Sequence, residues 1–285
     1  MEKEHNSRAM DRLLLILTIL PMVLAITVKV LTTPDAPLSD GVSISGAQIY
    51  FTIQMPLQPL YVTSALVNSW CVMLSIFFLC LYLTHGIKVI PDSKRQLAAE
   101  WIVDTVNKLV RDNMGETYMG FAPFVAGILG LSALSSLSSL LGLFPPTSDV
   151  NIVLGWAIIV FILITHYKLK AGLWEYIKGF FSPIPIFAPF NIIGEIATPV
   201  SMSFRHYGNV MSGMVISTLI AYALRSLSNA VLGWLPGMLG KIPFLQIGLP
   251  AIMSLYFDIF SGCMQAFIFA MLTMMFIKTA APEDA

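Results

Sequence analysis

Charge is scarce in this sequence. Only 11% of the 285 residues are Asp, Glu, Lys or Arg, and 56% are hydrophobic, whereas soluble globular domains have about 25% charged residues. Sixteen basic residues balance sixteen acidic ones, so no overall positive field attracts nucleic acid. These two deficits disfavour a soluble globular domain and a nucleic-acid-binding protein. They favour a chain that lies in a lipid bilayer.

Cysteine and the common catalytic motifs are also scarce or missing. Cys71, Cys80 and Cys263 lie inside apolar runs and form neither a CxxC pair nor a disulfide framework. The phosphate-binding GxxxxGK[ST] loop, the HExxH zinc motif and the GxSxG nucleophile motif do not occur. We therefore expect no metal, no cofactor and no nucleotide site. A membrane-embedded hydrolase is disfavoured, because His85 and His166 lie at segment ends without a second catalytic group nearby.

Long apolar segments dominate what is present. Crossing a hydrocarbon core of about 30 Å takes about 20 apolar residues. Six segments nearly free of charge meet or approach this length: 13–32, 62–86, 119–144, 151–167, 191–225 and 246–278. Between the second and third lies a charged stretch, 92–117, whose spaced apolar residues predict an amphipathic helix on the membrane surface. The expected fold class is an all-α integral membrane protein with about six membrane segments.

The last two segments are longer than ordinary spans. A helix of about 35 residues, as in 191–225, measures about 52 Å and fits into 30 Å only when tilted by roughly 55°. That tilt exceeds the usual maximum of about 40°. We therefore predict two long, strongly tilted C-terminal helices that form a hairpin. Pro199 is expected to bend the first of them, because proline removes one hydrogen bond of the helix.

The distribution of Lys and Arg predicts the orientation, because cytoplasmic segments carry the excess of basic residues. If the N-terminus is cytoplasmic, twelve basic residues lie on that side and only Lys29, Arg225 and Lys241 lie outside, with Arg205 inside the membrane. Both termini are then expected to be cytoplasmic. The segment 13–32 has two interpretations, an accessory transmembrane helix or a signal sequence.

Arg205 is the most informative residue. An arginine in mid-membrane costs several kcal/mol, so it must face protein or water, and it marks a functional site. At about 100° per residue, Glu195 lies about 80° from Arg205 around the helix. The polar residues within about 40° of Arg205 are Asn191, Thr198, Ser201, Asn209 and Ser212. One polar stripe is therefore predicted along the whole helix.

A second, shorter polar stripe is predicted in the last segment, where Ser254, Asp258, Ser261 and Gln265 share one face. With the expected orientation, Glu195 lies on the cytoplasmic side of Arg205 and Asp258 on the external side of Gln265. Two polar paths that each end near Arg205 are what two half-channels require. Two alternatives remain open: the polar groups join helices by hydrogen bonds, or Arg205 forms a buried ion pair with a carboxylate.

The sequences of these segments resemble subunit a of the rotary F-type ATP synthase. The resemblance is carried by IIGEIATPVSMSFRHYGN at 192–209, DIFSGCMQAFIFAML at 258–272, VNSW at 67–70, KVIPDSKRQLAAEWIV at 88–103 and PPTSDVN at 145–151. It covers about residues 45–280. The chain is thus expected to have an N-terminal region, 1–44, that lies outside the shared pattern, followed by a subunit a domain, 45–285.

The resemblance implies a role for each matching residue. Arg205 is the essential cation that faces the carboxylate of the rotor, and Ser201, Asn209 and Gln265 belong to the ion pathway beside it. Asp258 takes the position of the external acid or imidazole, and Glu195 that of the cytoplasmic acid. This sequence departs from the pattern at Asn191 and Met214, where the family often has ionisable or polar residues, and at His206, which we expect to pack inside the protein.

The resemblance also implies partners. These are a ring of c subunits, the b subunits of the peripheral stalk and the lipid of a bacterial plasma membrane, with H⁺ or Na⁺ as the translocated ion. A secondary transporter is the rival hypothesis, since such proteins also have charged residues near the midplane of the membrane. They usually contain paired repeats, and no second Arg-x-x-Gly-Asn segment occurs here.

Overall fold

A computed structural model describes residues 2–32, 46–56, 58–91, 93–182, 184–232, 248, 252–253 and 255–280. Helices make up most of these ranges. They are α1 (Glu2–Thr32), α2 (Ser64–Thr84), α3 (Lys94–Met114), α4 (Ala122–Leu137), α5 (Val150–Ala171), α6 (Leu173–Phe180), α7 (Ala188–Leu232) and α8 (Gly262–Ala280). A π-helical segment, Leu255–Ser261, leads directly into α8. Short 3₁₀ turns are Glu116–Phe121, Ser138–Leu141, Pro146–Ser148 and Pro185–Phe187.

Six helical stretches of the described chain are long and apolar enough to cross a membrane. They are Ala9–Thr32, Ser64–Thr84, Glu116–Leu141, Val150–Lys170, Pro185–Val231 and Leu255–Ala280. The predicted all-α membrane fold with six segments is therefore confirmed. The first part of the sixth predicted segment lies largely outside the described residues.

Helix α7 is longer than the sequence suggested. It covers 45 residues, or about 68 Å at 1.5 Å per residue. The helix continues through Pro199, and the hydroxyl of Ser203 donates to the carbonyl oxygens of Pro199 and Val200 at 2.9 Å each. One continuous helix thus carries every predicted residue from Glu195 to Ser212.

A small β-hairpin precedes α2 and was not predicted. Its strands, β1 (Ile49–Ile53) and β2 (Leu60–Thr63), pair in an antiparallel manner. Two hydrogen bonds join it to the start of α2: the Ser64 amide donates to the carbonyl of Gln48 at 2.8 Å, and the Gln48 amide donates to Ser64 Oγ at 3.1 Å. The hairpin therefore lies over the N-terminal end of α2.

The charged stretch 92–117 forms a helix, as predicted. Ser93 caps α3, because its hydroxyl accepts from the backbone amide of Gln96 at 3.2 Å. Trp101 is exposed on one face, whereas Val110 and Met114 are buried against the helix bundle. Helix α3 is amphipathic and is absent from the candidate spans of the described chain.

Helix α8 lies at the centre of the bundle. Its buried residues recur every three or four positions, which places them on one broad face: Gly262, Gln265, Ala266, Phe269, Ala270, Thr273, Met274, Ile277 and Ala280. This face packs in one cluster with Val125 of α4, Val160 of α5 and Met202 of α7. Gly262 allows close approach to α4, since a Cβ atom at this position would lie 2.8 Å from Cβ of Ser136.

Candidate functional site

Helix α7 has one exposed polar face and one buried face. The exposed polar residues are spaced four, four and three positions apart: Ser201, Arg205, Asn209 and Ser212. Met202, Ser203 and His206 are buried on the opposite side. These four residues therefore form one exposed stripe. They are the middle and C-terminal part of the polar face that the sequence predicted.

Arg205 points away from the helix bundle. Its side chain is exposed, and within the described part of the chain it forms no ion pair with Glu195 or Asp258. An internal ion pair is therefore not the arrangement seen here. A guanidinium group on the apolar exterior of a membrane protein must meet water or a partner protein, because lipid cannot satisfy it.

Asn209 and Gln265 join α7 to α8 one helical turn beyond Arg205. Asn209 Nδ2 donates to Gln265 Oε1 at 2.6 Å. Asn209 is exposed, whereas Gln265 is only 2% exposed. The hydrogen bond thus connects the exposed stripe to a buried polar group in the protein interior, and it holds α7 and α8 in register next to Arg205.

His206, the neighbour of Arg205, packs inside the bundle, which confirms the prediction for this residue. Its ring is fully buried and its Nε2 atom lies 3.3 Å from Ser132 Oγ of α4. The ring also makes edge contacts with Trp156 of α5 and Phe269 of α8, with centroid distances of 6.2 and 5.5 Å. Contacts with three helices therefore fix the rotation of α7 that directs Arg205 outwards.

Asp258 lines a cavity of about 390 Å³, which we call the Asp258 cavity. On α7 its wall consists of Met214, Ser217 and Thr218, all C-terminal to Arg205. Other parts of the wall are Gln48 and Tyr50 of the hairpin, Ser64 and Asn68 of α2, Ser139, residues 142–145 and Lys29 of α1. Among the described residues, polar groups from six parts of the chain therefore surround this space.

Two of the motifs noted in the sequence shape the Asp258 cavity. Asn68 of VNSW is buried, and its Nδ2 donates to the carbonyl of Phe144 at 2.8 Å. Thr147 of PPTSDVN is buried and lies 3.2 Å from Ser136 Oγ. These contacts hold the loop between α4 and α5 in place as part of the cavity wall.

The π-helical segment changes the predicted relation between Asp258 and Gln265. A π-helix has more residues per turn than an α-helix, so positions counted at 100° per residue no longer share one face across Leu255–Ser261. Asp258 accordingly lies in the cavity, while Gln265 is buried against Asn209. Ser254 lies outside the described residues. Gly213 of α7 faces this segment, where an added Cβ would lie 3.2 Å from Phe257.

Glu195 lines a second cavity at the other end of α7, of about 480 Å³, with an adjoining space of about 70 Å³. We call both together the Glu195 cavity. On α7 its wall consists of Phe190, Asn191, Gly194, Glu195 and Thr198, all N-terminal to Arg205, and residues of α5, α6 and α8 complete it. Ser201 is absent from both linings and lies on the exposed stripe.

Glu195 has two hydrogen-bond donors that the sequence did not reveal. Lys168 Nζ of α5 donates to Glu195 Oε1 at 2.9 Å, and the hydroxyl of Tyr176 of α6 donates to the same atom at 3.0 Å. Burial, together with the hydrogen bond to Glu195 and its charge, raises the pKa of Tyr176 to about 12. The phenol therefore stays protonated at neutral pH and remains a donor to Glu195.

Arg205 lies between the two cavities along α7. Thr198 is the last α7 residue of the Glu195 cavity and Met214 the first of the Asp258 cavity, a separation of about 24 Å along the helix axis. Arg205 is absent from both linings. Among the described residues, Asp258 is the carboxylate that lines the Asp258 cavity, and Glu175 and Glu195 line the Glu195 cavity. The exposed cation of Arg205 lies in the interval between the two cavities.

Comparison with known proteins identifies the family of this chain. The family model described as ATP synthase A chain matches residues 66–278. ATP synthase subunit a of Bacillus pumilus is 35% identical over 223 residues, which are 73% of this chain and 88% of the relative.

Two further relatives extend the comparison. ATP synthase subunit a of Bacillus subtilis is 31% identical over 223 residues, again 73% of this chain and 88% of the relative. The sodium ion specific ATP synthase subunit a of Propionigenium modestum is 30% identical over 239 residues, 76% of this chain and 73% of the relative. The family match covers most of the chain, and this chain therefore belongs to the ATP synthase subunit a family.

Proposed function

We propose that this chain is the ion-conducting stator subunit of a rotary ATP synthase and provides two offset half-channels for ions. The observation that carries the proposal is the pair of polar cavities on either side of Arg205. A single pore would need one continuous polar path, whereas two cavities interrupted by a cation suit ions that enter at one side, travel on a rotor and leave at the other. Membership of the subunit a family supports the same role.

In this mechanism the exposed stripe of α7 faces a ring of c subunits. As a rotor carboxylate passes Arg205, the guanidinium favours its ionised form, because an opposite charge within about 4–6 Å lowers the pKa of an acid. The rotor site then releases its ion on one side of Arg205 and takes up another on the opposite side. The fixed positive charge also repels cations that would pass directly between the cavities.

Asp258 and Glu195 act in different cavities in this proposal. Asp258 receives or delivers ions in the Asp258 cavity, on the external side, and Glu195 does so in the Glu195 cavity, on the cytoplasmic side. Ser201 and Asn209 line the exposed stripe between them, and Gln265 positions Asn209. Lys168 and Tyr176 hold the Glu195 carboxylate in place through their hydrogen bonds.

The orientation and the partners follow from the same proposal. Both termini are cytoplasmic in the bacterial plasma membrane in this proposal, which the excess of Lys and Arg in the predicted cytoplasmic segments supports. The partners are the c ring and the b subunits of the peripheral stalk. The ion is H⁺ or Na⁺, and one relative is sodium ion specific by name. The choice between the two ions is expected to depend mainly on the neighbours of the rotor carboxylate, which lie on another chain. A secondary transporter would instead move solute without a ring, so co-purification with small c subunits separates the two hypotheses.

The experiment that tests the proposal removes the charge at Arg205. Arg205→Ala is expected to assemble but to lose ATP-driven ion uptake into membrane vesicles, while passive uptake under an imposed gradient persists or rises. Arg205→Lys is expected to fail as well, because lysine lacks the planar guanidinium and loses its proton more readily in an apolar site. The matched control is Arg225→Ala, a second exposed arginine on α7, which is expected to retain uptake. Normal ATP-driven uptake by an assembled Arg205→Ala complex would refute the proposal.

A further inference from the structure

Helix α1 lies outside the part of the chain that the family model matches, yet it contacts the body of the protein both at Asp11 and in its C-terminal turns. Near its first turns, Asp11 Oδ1 accepts from Arg95 Nη1 of α3 at 2.6 Å and lies 2.9 Å from His85 Nδ1. Near its last turns, Ala25 is 2% exposed and packs with Cys71 of α2 and Leu143. Helix α1 is therefore bound to the body of the subunit through polar contacts at one end and apolar contacts at the other.

The last turn of α1 brings a charge into the Asp258 cavity. Lys29 lines this cavity together with Asp258, and its Nζ atom donates a hydrogen bond to the carbonyl oxygen of Gly142. Gly142 has a φ of +71°, a left-handed conformation that favours glycine. Gly142 thereby ends the 3₁₀ turn Ser138–Leu141. Its carbonyl oxygen is the group that accepts the hydrogen bond from Lys29.

We propose that Lys29 is a specificity-determining residue of the Asp258 cavity and that α1 remains in the assembled protein as a permanent part of the cavity wall. The ammonium group of Lys29 offsets the carboxylate of Asp258. The cavity therefore attracts small cations less strongly than the carboxylate alone would. The proposal rests on the proposed function only in taking this cavity as an ion path, since Lys29 and Asp258 both line it whatever passes through it.

The expected size of the effect follows from Coulomb's law. A unit charge about 8 Å from a small ion, at an effective dielectric constant of about 60, changes the local concentration of that ion about threefold. A cation and an anion respond in opposite directions, so the ratio of their local concentrations changes by about tenfold or more. The effect is largest at low ionic strength, where screening is weak.

The test measures this ratio directly in the assembled complex. In a background without native cysteines, Ser217→Cys places a thiol in the cavity wall. Its rates of reaction with a cationic and with an anionic methanethiosulfonate reagent are compared. Adding Lys29→Met, which keeps an unbranched side chain only one heavy atom shorter but removes the charge, is expected to raise the cation-to-anion rate ratio about tenfold. Adding Lys29→Arg is expected to leave the ratio within about twofold of the parent.

Two controls make the outcome specific. A cysteine at Met55, exposed beyond β1 and absent from the cavity lining, is expected to keep its ratio when Lys29 is replaced. The readout needs no ion pumping, so it stands or falls independently of the Arg205 experiment. An unchanged ratio at Ser217→Cys after Lys29→Met would overturn the proposal. So would N-terminal sequencing that finds the assembled subunit to begin after Lys29.

Discussion

The two helices that carry the candidate site, α7 and α8, differ sharply in how they are packed. In the most apolar stretch of the candidate span that contains α7, 6% of the residues are buried. In the corresponding stretch of the span that contains α8, 39% are buried. Helix α7 presents Arg205 and large apolar residues such as Phe204, which is 57% exposed, to the outside. Helix α8 buries Gln265, Phe269 and Met274.

This difference separates two tasks. Helix α8 fills the centre of the bundle and holds Asn209 through Gln265, so it determines where α7 lies. Helix α7 provides the surface that meets the surroundings, and an exposed arginine on that surface needs a polar or charged partner. Substitutions in α8 are therefore expected to impair assembly, whereas substitutions on the exposed stripe of α7 should impair ion transfer in an assembled protein.

The largest expected effect is on the central helix. Gly262→Leu would force side-chain atoms into Ser136 of α4, since even a Cβ atom would lie only 2.8 Å from Cβ of Ser136. Overpacking of this kind costs about 1–3 kcal/mol. We expect the amount of subunit in the assembled membrane complex, measured by immunoblot, to fall about thirtyfold, as about 2 kcal/mol implies. Gly127→Leu is the control, because nothing lies within 4 Å of a Cβ at that position. Equal losses in both variants would contradict the central role of α8.

The second expected effect, at Asp258, is on ion transfer by a complex that still assembles. Asp258→Asn removes the carboxylate of the Asp258 cavity but keeps its size, and we expect ATP-driven ion uptake by the assembled complex to fall about tenfold or more, as for the loss of a proton-transfer group. ATP hydrolysis by the detached soluble head should not change. Asp104→Asn, on the exposed side of α3, is the matched control. Uptake at the level of the unmodified protein would instead give Asp258 a purely structural role.

These predictions depend on residues that the sequence reveals to different degrees. Arg205 could be found because it is a lone basic residue inside a long apolar segment, and the six segments because hydropathy is a local property. Other contacts join residues that are far apart in the sequence. Lys168 and Glu195, which form an ion pair, are 27 positions apart. Lys29 and Gly142, which form a hydrogen bond, are 113 positions apart. Such pairs depend on helix packing, which periodicity does not encode. The π-helical segment before α8 was missed because it changes the spacing without any proline or glycine within it.

The smallest effect concerns the Glu195 cavity. Tyr176→Phe keeps the ring beneath Lys168 but removes one of the two donors to Glu195, so uptake by the assembled complex is expected to fall only about two- to threefold, as about 0.5 kcal/mol of hydrogen bonding implies. Because the pKa of Tyr176 is raised to about 12, from about 10 in an unfolded chain, the protonated phenol is favoured in the folded protein. Its contribution to stability is complete below about pH 10 and is lost as the pH rises through about 12.

That titration can be checked by the phenolate absorbance difference between the unmodified protein and Tyr176→Phe. A phenolate signal from Tyr176 that develops above about pH 11 agrees with a phenol held protonated beside Glu195. A signal with its midpoint near pH 10, the ordinary pKa of tyrosine, would show that Glu195 and burial do not act on Tyr176 in this way.

Whether the exposed stripe of α7 lies against the rotor can be measured by disulfide cross-linking in the assembled synthase. Cysteines at Ser201 and at Asn209, one turn before and one turn after Arg205 and both exposed, are each combined with a cysteine beside the membrane carboxylate of the c subunit. Ser203→Cys, on the buried side of the same helix, is the control. The account predicts oxidative cross-links from both exposed positions and none from Ser203. Cross-linking from Ser203, or from neither exposed position, would contradict it.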